Sequence, residues 1–270
     1  MKPPKGVITG DVVIGKVDKF DKLFEQNNQV MDAALSGFDS GLETVVSGLS
    51  DALIDMPFWD ETSQQLMVRS IIHIQQMLQG EMNKLGYEKL VQKFMTNGYD
   101  PAEVFAQTIY QALGKSELNL VPMRSDILTQ LKQYDFSQYQ EWGTKAIQET
   151  SKQLVMAKIG GKKRSAIIKD IQTNLGVKVD QARLLADTSL RSFDRQCQWQ
   201  TANEAGVDTF RYGGPKDIKN RPFCAEHAGK EYTKTQISKM NNGQKQFGNV
   251  ATFMGGARCR HYWLPLARPD

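Results

Sequence analysis

The sequence predicts a mainly α N-terminal region followed by a small α+β C-terminal module, with zinc as a candidate staple of that module. Three observations carry this expectation. Apolar residues recur at three-to-four spacing from about 17 to 205. The pattern then switches to strand-like alternation at Val207–Tyr212. Finally, two of the three histidines lie close to two of the three cysteines near the C-terminal end.

The first helical stripe opens at Phe20, Leu23, Phe24 and Asn27 and continues through Leu35, Phe38, Leu42, Val45, Val46, Leu49 and Leu53 to Pro57. Gly37, Gly41 and Gly48 interrupt it, each lowering helix propensity by up to about 1 kcal/mol. A loosely packed surface helix is one reading of these glycines; close packing against another copy in a homo-oligomer is the other. Thr62 to Gly86, with Leu66, Val68, Ile71, Ile72, Ile74, Met77, Leu78 and Met82, predicts the next helix. It carries His73, read as a surface or core-edge residue without chemistry. Asp100-Pro101 opens a helix through Val104, Phe105, Ile109 and Leu113, because Pro suits a first turn and Asp is a good cap. A helix within 123–133 precedes an aromatic patch of Tyr134, Phe136, Tyr139 and Trp142, expected to pack a core or an interface. A further helix ends near Ile159 at Gly160-Gly161, another covers 164–174, and after Gly176 a long one runs 179–205 to Gly206. Beyond it, Gly213-Gly214-Pro215 breaks the first strand, and strand-like pieces recur at Glu231–Tyr232 and His261–Leu264.

Charge divides the chain further. The net charge is +4, but residues 1–155 carry 14 Lys+Arg against 20 Asp+Glu, whereas 211–270 carry 11 against 4. The organisation expected is therefore 1–155 as an acidic helical docking region, 156–206 as a basic helical connector and 207–270 as the small module. An acidic front suits a protein surface, and a basic back suits nucleic acid. Lys162, Lys163 and Arg164 sit at a helix start, where positive charge opposes the macrodipole, so a contact role explains them better than helix stability does. With Arg221, Arg258 and Arg260 they are the candidate phosphate contacts. No run of about 18 apolar residues occurs and no hydrophobic leader follows Met1, which predicts a chain that starts in a cytoplasm and has no membrane partner.

Cys224-x2-His227 and Cys259-x-His261 flank a loop-rich stretch. Four sulfur and nitrogen donors are what a tetrahedral structural zinc site requires, and a module with little core gains most from such a staple. In an extended strand Cys259 and His261 share one face. Packed or exposed residues without metal remain the alternative reading.

The same residues carry a resemblance. Gly206-Val207-Asp208-Thr209-Phe210-Arg211-Tyr212, Gly214-Pro215-Lys216-Asp217, Asn220-Arg221-Pro222-Phe223-Cys224, His227-Ala228-Gly229-Lys230 and Gly256-Ala257-Arg258-Cys259-Arg260-His261-Tyr262-Trp263 resemble the C-terminal module of the bacteriophage Mu F-like head-morphogenesis family. The likeness covers roughly 155–265. It implies a minor head protein: a non-enzymatic virion component assembled in the host cytoplasm. Its implied partners are the portal protein or inner capsid and packaged DNA, the DNA touched without sequence preference. The competing classes are a metal-dependent nuclease and a DNA-binding regulator. The nuclease needs a carboxylate-rich metal site, yet after residue 210 the acidic residues are Asp217, Glu226, Glu231 and Asp270. A regulator needs a recognition helix beside its basic patch.

Overall fold

A computed structural model of the chain describes residues 10–55, 71–114 and 122–266; the expected helix start at Thr62 and the break at Pro57 lie outside the described residues. Helices α1 (Gly10–Ile54), α2 (Ile71–Lys84) and α3 (Tyr87–Phe94) are followed by a five-residue π turn, Met95–Tyr99, and by α4 (Asp100–Ala112). Two long helices come next, α5 (Pro122–Ile159) and α6 (Arg164–Glu204). The chain then forms β1 (Thr209–Gly213), α7 (Pro222–His227), β2 (Glu231–Thr233), α8 (Lys234–Ser238), α9 (Val250–Phe253) and β3 (Tyr262–Leu266). The expected class, helices first and a small α+β module last, is what the chain adopts. Among the described residues, no helix is long and apolar enough to cross a membrane.

The described residues divide into two compact units, each discontinuous in sequence. One collects 10–34, 96–114, 122–133 and 187–266, and the other collects 35–55, 71–95 and 134–186. These groupings cut across the three consecutive segments expected from charge, because single helices of 38 to 45 residues are long enough to serve two cores in turn.

In the second unit, Phe38, Leu42, Val45, Leu49 and Leu53 of α1 are buried at helical spacing. Phe38 packs against Phe94 and Tyr139 with ring centroids 4.6 and 5.9 Å apart. The glycines of α1 find their use within the chain itself: a Cβ on Gly41 would press into the Leu90 side chain and one on Gly48 into Leu85, whereas Gly37 faces open space. The aromatic patch is not a separate segment but part of α5, where Tyr139 and Trp142 are buried and Tyr134 is exposed. Trp142 donates its indole N–H to the Lys178 carbonyl at 3.0 Å.

The expected break at Gly176 does not occur. Leu175 and Val179 are both buried, and their packing outweighs the roughly 1 kcal/mol that one interior glycine costs a helix. At Gly161, by contrast, φ is +73°, and Lys162 N–H bonds the Ala157 carbonyl while Gly161 N–H bonds that of Lys158. This Schellman turn closes α5.

An equivalent turn at Gly206, φ +75°, starts the module: Val207 N–H reaches the Ala202 carbonyl and Gly206 N–H that of Asn203. Ala202 and Val207, the residues on either side of that turn, are both buried in the module core. The sheet is antiparallel in the order β2-β1-β3, with Phe210 opposite Tyr232 and Tyr212 opposite Trp263. One sheet face packs Phe210, Tyr212 and Trp263 with Cys224, Ile237, Val250, Met254 and Cys259. The other face offers Tyr262 and Leu264 to Phe20, Phe24, Phe105 and Ile109. Gly213 stands opposite Tyr262, and a Cβ there would overlap that ring.

Candidate metal centre

Cys224 sits on α7, a six-residue helix opened by Pro222. Cys259 and His261 lie two residues apart in the segment that leads into β3, and their side chains meet. All three are buried, and their ligand atoms lie within 4.8 Å of one another. The two sulfurs are 3.8 Å apart, and Cys259 Sγ is 3.6 Å from His261 Nδ1. The other imidazole nitrogen, Nε2, is buried without a hydrogen-bond partner. A sulfur pair and an imidazole at this spacing could hold a metal ion. Among the described residues this is the one group of three or more histidine, cysteine and acidic donors that converges in this way.

The fourth residue expected from the sequence, His227, is not in the group. Its Nδ1 lies 2.7 Å from the Tyr232 hydroxyl, and its ring packs against Phe223 with centroids 4.3 Å apart. The pairing with a β2 side chain turns the imidazole away from the sulfurs, although a Cys-x2-His spacing on a helix puts both residues on neighbouring positions of one face. The buried group beside the sulfurs is instead Tyr212, whose hydroxyl lies 3.3 Å from Cys224 Sγ and 4.0 Å from Cys259 Sγ.

The surroundings favour a negative charge on the Cys259 sulfur and oppose one on that of Cys224. The Cys259 thiol is held well below the ordinary thiol range, first by the hydrogen bond from Cys224 and further by His261 and the Arg195 charge, against the opposing effect of burial. Cys224 is pushed up by sharing that bond and by burial. Burial also pushes the Tyr212 phenol up, so without a metal it is a hydroxyl that donates to Cys224. The backbone N–H of Gly255 points at Cys259 Sγ from 3.4 Å, and any Cβ at Gly255 would overlap the Cys224 sulfur. That glycine is what lets the loop close over the pair.

Arg195 of α6 holds the segment from behind. Fully buried, it donates to the carbonyls of His261 at 3.0 Å, Thr252 at 3.2 Å and Cys259. It fixes the backbone of two candidate ligands as outer groups fix ligands in metal sites. Its neighbour Asp194 accepts from Asn27 Nδ2 at 2.9 Å and from Gln198 Nε2 at 2.6 Å, and burial raises its carboxyl to about 6. Neither Arg195 nor Tyr212 stands out as a ligand partner in the sequence. The available signal is an Asp-Arg pair at inward positions of a helix, among buried apolar neighbours that include Leu190, Phe193 and Cys197.

The six candidate phosphate contacts divide between the two compact units. Lys162, Lys163 and Arg164 belong to one compact unit and Arg221, Arg258 and Arg260 to the other. Lys162 pairs with Asp170 at 3.0 Å, and Arg164 donates to the Ile54 carbonyl. Arg221 braces the site loop through the Gly255 and Ala257 carbonyls at 3.2 and 2.6 Å. Arg260 pairs with both oxygens of Asp217, at 2.8 and 2.7 Å. Lys163 and Arg258 are exposed.

A scan of family models, a search of curated proteins and a search of solved structures each return no match to this chain.

Proposed function

We propose that the chain is a head-morphogenesis component of the Mu F-like class, a virion assembly protein and not an enzyme, whose C-terminal module is stapled by zinc. One observation carries the reading. Of the residues on which the resemblance rests, Gly206–Tyr212 supply the opening turn and most of β1, and Asn220–Cys224 and Gly256–Trp263 carry Cys224, Cys259, His261 and the start of β3. The three donors are 2 to 3% exposed. A catalytic metal needs a position open to substrate, and burial of this kind suits a structural ion. Zinc fits two sulfurs and an imidazole better than the oxygen-seeking Mg2+ or Ca2+ does.

In this reading the acidic helical part docks on the portal protein or inner capsid, and exposed basic residues such as Lys163 and Arg258 meet packaged DNA without reading its sequence. The nuclease alternative finds little support in the carboxylates beyond residue 210: Asp217 is engaged by Arg260, and Glu231 by Arg211 at 3.0 Å. Mass spectrometry of gradient-purified particles tests the assignment. The chain is expected in the head fraction at low copy number. Its absence from particles, or magnesium-dependent cleavage of DNA by the purified chain, would overturn the reading.

A further inference from the structure

Three protein donors leave a tetrahedral ion one position short. We infer that the fourth position belongs to the phenol oxygen of Tyr212, giving a Cys224, Cys259, His261, Tyr212 site. This rests on the metal reading above and names the ligand set that completes it.

The argument is geometric. Zinc–sulfur bonds of about 2.3 Å, zinc–nitrogen bonds of about 2.05 Å and zinc–oxygen bonds of about 2.0 Å at tetrahedral angles put sulfurs about 3.8 Å apart and sulfur about 3.5 Å from nitrogen or oxygen. The sulfurs here are 3.8 Å apart, and Cys259 Sγ is 3.6 Å from His261 Nδ1. Tyr212 Oη lies 3.3 and 4.0 Å from the two sulfurs, on either side of the ideal edge. Tyr212 is fully buried in the same core, and its ring lies 5.1 Å from that of His261. Its position is set by β1, which pairs it with Trp263 of β3 two residues beyond His261. His227, the residue that the sequence spacing offers for this position, is held by Tyr232.

Charge balance points the same way. A divalent ion with two thiolates, one phenolate and a neutral imidazole carries one net negative charge. Arg195 is a buried guanidinium whose hydrogen bonds go to three carbonyls, two of them on the ligands Cys259 and His261. A buried cation without a carboxylate on its own nitrogens is stabilised by such an anionic neighbour. On binding, the Cys224 S–H and Tyr212 O–H bonds break, both protons leave to solvent, and the freed sulfur and oxygen lone pairs form the metal–sulfur and metal–oxygen bonds. The oxidation state of the ion does not change.

Zinc titration of the metal-free full chain, followed by the ultraviolet difference spectrum of tyrosinate, tests this. One tyrosinate per bound zinc is expected at neutral pH. Tyr212→Phe should remove that signal and weaken zinc binding at least about tenfold, whereas His227→Ala should bind zinc as the unaltered chain does. Stoichiometric zinc binding without a tyrosinate signal overturns the Tyr212 assignment and leaves the zinc site standing, and it does so in the unaltered chain even if Tyr212→Phe fails to fold. Equal zinc affinity in Tyr212→Phe has the same meaning. Absence of zinc binding removes the metal reading and this inference together.

Discussion

The unit built from residues 35–95 and 134–186 and the module from 207 onward are held by different means. The first consists of long helices whose apolar stripes bury Phe38, Leu42, Leu49, Leu53, Tyr139 and Leu154 almost completely. The module has strands of three to five residues and helices of four to six. Elements so short gain little from their own hydrogen bonds. Polar contacts at fixed points compensate: the Arg195 fork, the Gln236–Thr233 capping box, the Trp263 indole on the Val250 carbonyl at 3.2 Å, and the cysteine–histidine group. A helical unit tolerates the loss of one contact because many equivalent ones remain. A small module does not.

The largest separation between the two regions should come from metal removal. Structural zinc contributes on the order of 10 kcal/mol to small domains, so a strong chelator, or Cys259→Ser, should abolish cooperative melting of the module. Near-ultraviolet circular dichroism from Trp199 and Trp263 should collapse, while the far-ultraviolet helical signal is mostly retained. Unchanged melting after complete chelation would count against a metal staple.

Arg195→Met comes next. It removes the cation but leaves three buried carbonyls unpaired, a loss of about 3 kcal/mol or more. Chemical denaturation monitored at the module tryptophans should register it.

Asp194 offers a comparison by pH. Its carboxyl, normally near 4, is raised to about 6 by burial. A raised carboxyl favours the folded state while protonated, so this contribution is complete below about pH 4 and lost as pH rises toward about 6, on the order of 3 kcal/mol in all. Asp194→Asn should flatten the stability profile between about pH 4 and about pH 6, and an unaltered profile would sink the assignment.

Within the helical unit the glycines supply an internal control. Gly41→Ala and Gly48→Ala should each stabilise less than an unobstructed Gly→Ala change, because a Cβ there has to push aside the methyl ends of Leu90 and Leu85. Gly37→Ala, which meets nothing, should stabilise by about 0.5 to 1 kcal/mol. The smallest effect is electrostatic: Arg258→Glu or Lys163→Glu should lower the salt slope of nonspecific DNA binding by roughly one unit per lost contact, measured by fluorescence anisotropy.

The first long helix, the turn at Gly206, the three strands and the approximate site of Cys224, Cys259 and His261 were legible in the sequence, because each follows from local periodicity or from rare residues placed close together. Residues 20, 24, 27, 31 and 34, then 38, 42, 45, 49 and 53, trace one buried stripe of α1 that any 3.6-residue repeat would reveal. Other features depended on partners distant in the chain. Gly176 sits inside a helix rather than between two because Leu175 and Val179 pack on either side of it. His227 leaves the donor cluster because Tyr232 takes its ring, and Tyr212 enters because β1 pairs with β3. Arg195 serves the cluster from 64 residues upstream of Cys259. Local pattern specifies which elements form, since helix and strand are decided within a few residues. Which side chains meet around a buried sulfur pair is decided by the closing of long loops, and no spacing in the sequence records it.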